Sequence, residues 1–199
     1  MHDAKAWIFD LDGTLTLAQH DFVAIREELG IPADEDILGY LEKLPEDQAS
    51  ELSRQLDAIE LRLARDVAAA PGAARLIRHL RDTGKQVGIL TRNLHSVALS
   101  SLEVLGIADC FEPEHILGRA EALPKPDPAG IHHLLGLWSV EPKEAVMVGD
   151  FRFDLEAGRA AGCRTCLLHE HDSWPGLADL HLPDCERLLV YLQGFADTH

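Results

Sequence analysis

The feature that most constrains how this 199-residue chain can fold is an alternation of short apolar runs with amphipathic helical patterns. Runs rich in β-forming residues occupy 6–10, 86–91, 115–117, 145–149 and 163–168, with a shorter edge piece at 180–182. Helical periodicity fills 73–83, 96–105, 128–138 and 153–161. Gly84, Gly106 and Gly162 follow three of these stretches, where a left-handed residue closes a helix at little cost. Val87-Gly88-Ile89-Leu90 and Ala145-Val146-Met147-Val148 are apolar at successive positions, so both faces of those strands need cover. Helices on both sides of a mainly parallel sheet meet that need, and the expected fold is α/β and doubly wound.

One segment interrupts the alternation. From 17 to 70 the patterns are all helical. Ala49, Leu52, Leu56, Ile59, Leu63 and Val67 recur every three or four residues and predict a helix starting near Pro45. Phe22, Ile25 and Leu29 mark a shorter helix, and Ile37, Leu38 and Leu41 another. A crossover between parallel strands needs only about a dozen residues, and this stretch is several times longer. The expected organisation is an α/β core of residues 1–16 and 71–199, with a small helical cap, 17–70, inserted after the first strand.

Charge narrows the partners. The formal net charge is −16, from 34 acidic and 18 basic residues, and no dense Lys/Arg stripe reverses it locally. Such a surface repels nucleic-acid phosphates and anionic lipid. A small phosphorylated metabolite remains compatible, because a metal ion and a few placed cations dominate a single pocket. The N-terminus has neither the basic flank nor the apolar stretch of a signal peptide, and no apolar run reaches membrane-spanning length. Of the four cysteines, Cys163 and Cys166 form a CxxC, but they lie in a buried-strand pattern with no second ligand pair at zinc spacing. A reduced, cytoplasmic chain is expected. Nothing in the pattern specifies an oligomeric state.

The polar residues that end the apolar runs carry the chemistry. Strand one runs into Asp10-Leu11-Asp12-Gly13-Thr14. Residues two apart share a side in extended chain, so both carboxylates can face one site at the strand's C-terminal end, where open α/β sheets bind ligands. The second run ends in Thr91-Arg92-Asn93 before a helix, an arrangement that suits a phosphate oxygen and equally suits a plain helix cap. Pro124-Lys125-Pro126 places one ammonium in a stiffened turn. The fourth run enters Asp150-Phe151-Arg152-Phe153-Asp154. Four acids at two strand ends make a site of hard oxygens, which suits Mg²⁺ better than zinc.

DLDGTLT, ILTRN, the KPDP lysine and VGDFRFD, in that order, resemble the four motifs of the haloacid dehalogenase superfamily, and the helical insertion resembles that family's first class of cap. The resemblance spans essentially the whole chain and implies a Rossmann-like sheet and a phosphatase of the phosphoglycolate-phosphatase type. It implies that Asp10 is the nucleophile forming an aspartyl-phosphate, with Asp12 as general acid and base. It places Thr91, Arg92, Asn93 and Lys125 around the phosphate. Mg²⁺ then falls to Asp10, Asp150 and the backbone carbonyl of Asp12, with Asp154 in support. Retention of the second acid, Asp12, favours phosphate esters over the dehalogenases, phosphonate-cleaving enzymes and ion pumps of that superfamily. A sugar phosphomutase keeps the same acid and stays open. A phospho-accepting receiver domain uses similar groups, but it places the acid pair on the first strand and lacks a long insertion.

Specificity is less legible. Arg92 and Arg152 follow the phosphate and metal positions and suit a second anionic group or a surface ion pair. His20 and Asp21 open the cap. His169-Glu170-His171 follows a strand without a third ligand at metal-site spacing. A short cap predicts several small or medium phosphomonoesters rather than one.

Overall fold

The computed structural model describes residues 1–17 and 22–194, with the side chain of Phe22 outside that description. The apolar runs form six strands: β1 (Ala6–Phe9), β2 (Gln86–Leu90), β3 (Ile116–Leu117), β4 (Ala145–Gly149), β5 (Arg164–Leu168) and β6 (Leu180–Leu182). They make one sheet in the order β3-β2-β1-β4-β5-β6, with every pairing parallel. The expected α/β sheet is therefore present, and the most apolar strands lie at its centre.

Period-two alternation explains why β1 and β4 are apolar throughout. Trp7, Phe9, Val146 and Val148 enter one core, with Leu76, Ile77, Leu102 and Leu188 from helices on that face. Ala6, Ile8, Ala145 and Met147 enter a second, against Ile131, Leu134 and Ala157 on the other. Those covering helices are α4 (Ala73–Asp82), α5 (His95–Val104), α6 (Ala129–Trp138), α7 (Arg152–Ala161) and α8 (Cys185–Gln193). Residues 185–193, which the alternation leaves unassigned, owe their helix to Asp184. Its carboxylate caps the start by accepting the Arg187 N–H at 2.8 Å. That Pro183-Asp184 start signal was present in the sequence, but the helix behind it is short.

The insertion, which precedes α4 in the chain, folds as α1 (Phe22–Leu29), α2 (Ile37–Leu41) and α3 (Glu46–Leu63). Pro45 stands at the N-terminus of α3. Ile25, Leu29, Ile37, Leu41, Leu56 and Ile59 bury one another in a third, separate cluster. The stretch is not purely helical. Leu17 N–H donates to Ala68 O and Ala70 N–H to Leu15 O, so departing and returning chain pair in a short antiparallel bridge at its base. Two polar connections satisfied by each other fix where the helices leave the sheet. Among the described residues, no helix is long and apolar enough to cross a membrane.

Candidate active site

Register brings the strand-end residues together. Phe9 pairs with Ile89 on one side and Val148 on the other, so Asp10 is level with Leu90 and Gly149. Thr91 and Asp150 follow one residue further. Adjacent strands are about 4.8 Å apart, which spaces these three side chains for one small ligand. Asp10, Asp12, Thr91, Arg92, Asn93, Lys125, Asp150 and Asp154 all line one cavity of about 490 Å³.

Two glycines make room for the carboxylates. Gly13 has φ +84°, and a side chain there would strike the Asp150 carboxylate; one at Gly149 would strike Asp154. Thr14 Oγ1 donates to Asp150 Oδ1 at 3.0 Å. Lys125, buried in the turn before α6, contacts Asp10 Oδ1 at 2.6 Å and Asp154 Oδ1 at 2.7 Å. Burial opposes its charge, but Asp10 and Asp154 outweigh that and hold the ammonium above the ordinary lysine range.

Carboxylate oxygens of Asp10, Asp150 and Asp154 lie within 4.8 Å of one another. Burial, then the charges of Asp10 and Asp154, push the Asp150 carboxyl well above the usual range. Burial also raises Asp154, against the pull of Lys125. Burial and Asp10 together push Asp12 up to about 7. One ammonium is too little charge for so many acids, and hard oxygen donors this close fit a divalent cation. Both oxygens of Asp154 are already engaged, one by Lys125 and one by the Phe151 N–H at 3.0 Å, so it is placed as a strut rather than as an open ligand.

These strand ends coincide with a known family. The sequence model of haloacid dehalogenase-like hydrolases matches residues 4–162. The chain belongs to that family. An uncharacterized hydrolase of Saccharomyces cerevisiae is 31% identical, over 96% of this chain and 91% of its own length. A phosphoglycolate phosphatase of Rhodospirillum rubrum is 32% identical, over 79% of this chain and 76% of its own. The crystal structure of a predicted phosphoglycolate phosphatase from Haemophilus somnus superposes with a TM-score of 0.76 at 21% identity, covering 95% of this chain and 98% of that one. The last comparison bears on the fold alone.

Two side chains in this haloacid dehalogenase-like hydrolase sit differently from the sequence expectation. Arg92, expected beside the phosphate, forms a bidentate pair with Asp36 at 2.9 and 2.6 Å and lies over the Phe153 ring at 4.9 Å. The Asn93 side-chain amide, also expected there, donates to Asp12 Oδ2 at 2.6 Å, while its backbone N–H donates to Thr91 Oγ1 at 3.1 Å. Arg152 is committed to Glu156 at 2.9 Å. His169 Nδ1 lies 2.9 Å from the His171 carbonyl on an exposed segment. His20 and Asp21 lie outside the described residues.

Arg119 and Glu60 lie outside the set of site residues expected from the sequence. Arg119 pairs with Asp57 and, at 2.8 Å, with Glu60, both on α3, and donates to the Arg92 carbonyl at 2.8 Å. Burial outweighs that guanidinium and pushes Glu60 up to about 7. Glu60 faces the cavity. Its placement in a helix stripe among leucines was the available signal, since a carboxylate there is costly without a partner.

Proposed function

We propose that this hydrolase is a Mg²⁺-dependent phosphatase of small phosphomonoesters, working through an aspartyl-phosphate on Asp10. The observation that carries this reading is the junction of Asp10, Lys125, Asp150 and Asp154 at the ends of adjacent strands. Mg²⁺ held by Asp10, Asp150 and the Asp12 backbone carbonyl supplies charge neutralisation for an incoming phosphate dianion. A carboxylate oxygen of Asp10 attacks phosphorus as the ester oxygen departs, and Asp12 gives that departing oxygen its proton. Asp12 then takes a proton from the water that attacks the aspartyl-phosphate, which restores Asp10 and releases phosphate. Lys125 and Thr91 bind the equatorial oxygens of the transferring group. Asn93 holds Asp12 in place. The helices α1–α3 act as the cap over this site, joined to it through the Arg92–Asp36 and Arg119–Glu60 pairs. The names of relatives such as the R. rubrum phosphoglycolate phosphatase agree with the reaction class.

Release of phosphate from p-nitrophenyl phosphate tests the reading. Many turnovers per chain with Mg²⁺, none after chelation and none in Asp10→Asn are expected. Full activity of Asp10→Asn would overturn the nucleophile assignment, and a single stoichiometric phosphorylation without turnover would favour a receiver-like role.

A further inference from the structure

The cavity lining extends beyond the strand-end residues, and those further residues have a distinct chemistry. Leu38 of α2 and Phe151 and Phe153 from the start of α7 line the cavity, and Ile25, Ile37 and Leu56 reach it as the edge of the buried cluster within α1–α3. Phe151 is 44% exposed although it adjoins Asp150. Its ring stands edge-on to those of Phe153 and Trp174, each at 5.1 Å between centroids. An exposed phenylalanine beside an ion-rich site has no polar task there, and its neighbours hold it as a fixed wall.

The charges at this end leave no surplus cation. Outside the strand-end cluster, the lining carries Arg26 and Arg92 against Asp34, Glu35, Asp36 and Glu60. Arg92 is bound by Asp36, and Arg26 also acts on Asp36 electrostatically. Glu35 pairs with Lys43 and Glu60 with Arg119 from outside the cavity. A second anionic group on the substrate would meet a lining in which four acids outnumber two arginines, one of them already bound by Asp36. An apolar body would meet complementary walls.

We infer that, within the phosphatase reading on which this rests, the preferred substrates are phosphomonoesters whose alcohol portion is an apolar, preferably aromatic, body without a second negative charge. A small carboxylate-bearing alcohol such as glycolate fills little of the cavity and brings charge to its acidic side.

Phosphonates carry a C–P bond that this chemistry does not cleave, so they report binding alone. Inhibition constants for methylphosphonate, benzylphosphonate and phosphonoacetate are measured against p-nitrophenyl phosphate hydrolysis by the full chain with Mg²⁺. Benzylphosphonate is expected to bind at least tenfold tighter than methylphosphonate, and phosphonoacetate no tighter than methylphosphonate. Phe151→Ser and Leu38→Asn should each cut the benzyl-to-methyl ratio at least threefold. The wild-type ratio decides the matter even if a variant folds poorly. Equal binding of benzyl and methyl compounds, or tighter binding of phosphonoacetate, overturns the inference and leaves the phosphatase reading standing. Absence of turnover, together with binding by none of the phosphonates, overturns both.

Discussion

Asn93 and Asp12, 81 residues apart in sequence, meet at 2.6 Å through an amide-to-carboxylate hydrogen bond. The donor follows β2 and the acceptor follows β1, so the contact exists only because those strands are neighbours. Under the proposed mechanism, this bond holds the residue that protonates the leaving oxygen.

Asn93→Ala should therefore matter most where the leaving group needs a proton. Acid–base catalysis is worth on the order of 10²–10⁴ in rate, and misplacing the acid should forfeit about tenfold or more of kcat/KM, which reports the phosphorylating step alone, on alkyl phosphates. The loss on p-nitrophenyl phosphate, whose phenolate leaves unprotonated, should stay below about threefold. Equal losses on both would assign Asn93 a structural part only.

Asp150→Asn removes one charge from three carboxylates gathered within 4.8 Å. Without metal, the variant should melt above wild type, since it relieves like-charge repulsion. Wild type should gain stability with added Mg²⁺, about 2.7 kcal/mol at a hundred times the dissociation constant, and the variant should gain far less. Thermal melts with Mg²⁺ or chelator check both signs.

Glu60 links stability to pH. Its carboxyl is held near 7 in the fold, against 4.5 for the free group, so the folded state prefers the protonated form. The associated stability is fully present below pH 4.5 and is lost as pH rises through 7. Relative to Glu60→Gln, wild type should lose on the order of 3 kcal/mol across that window. Urea titrations at pH 5 and 8 measure it. A loss of the same size in both proteins would place the effect elsewhere.

All four cysteines are free and buried. Burial pushes Cys163 and Cys185 up to about 12, and drives Cys166 higher still. Thiolate is the reactive form, so the native protein should react with a thiol-specific disulfide reagent far more slowly at pH 8 than the urea-unfolded chain. Four thiols per chain should titrate after unfolding. Rapid native labelling would contradict this burial.

Much of the protein was legible in the linear sequence. Apolar runs that satisfy two faces at period two became β1, β2, β4 and β5, and Asp10, Thr91 and Asp150 could be nominated because a polar residue ending a buried strand is conspicuous. The helices of the insertion followed from the same local periodicity. Register and strand order were not legible. They decided that Asn93 would turn to Asp12, that Arg92 would be taken by Asp36, and that Arg119 would reach Glu60 on α3. Side-chain periodicity and turn chemistry are properties of a few consecutive residues, so the sequence by itself determined which elements form and which polar groups stand at their ends. Ion pairs and hydrogen bonds fall off within a few ångströms and join residues tens of positions apart, so only the tertiary structure could decide which of those groups neutralise one another and which remain for a substrate.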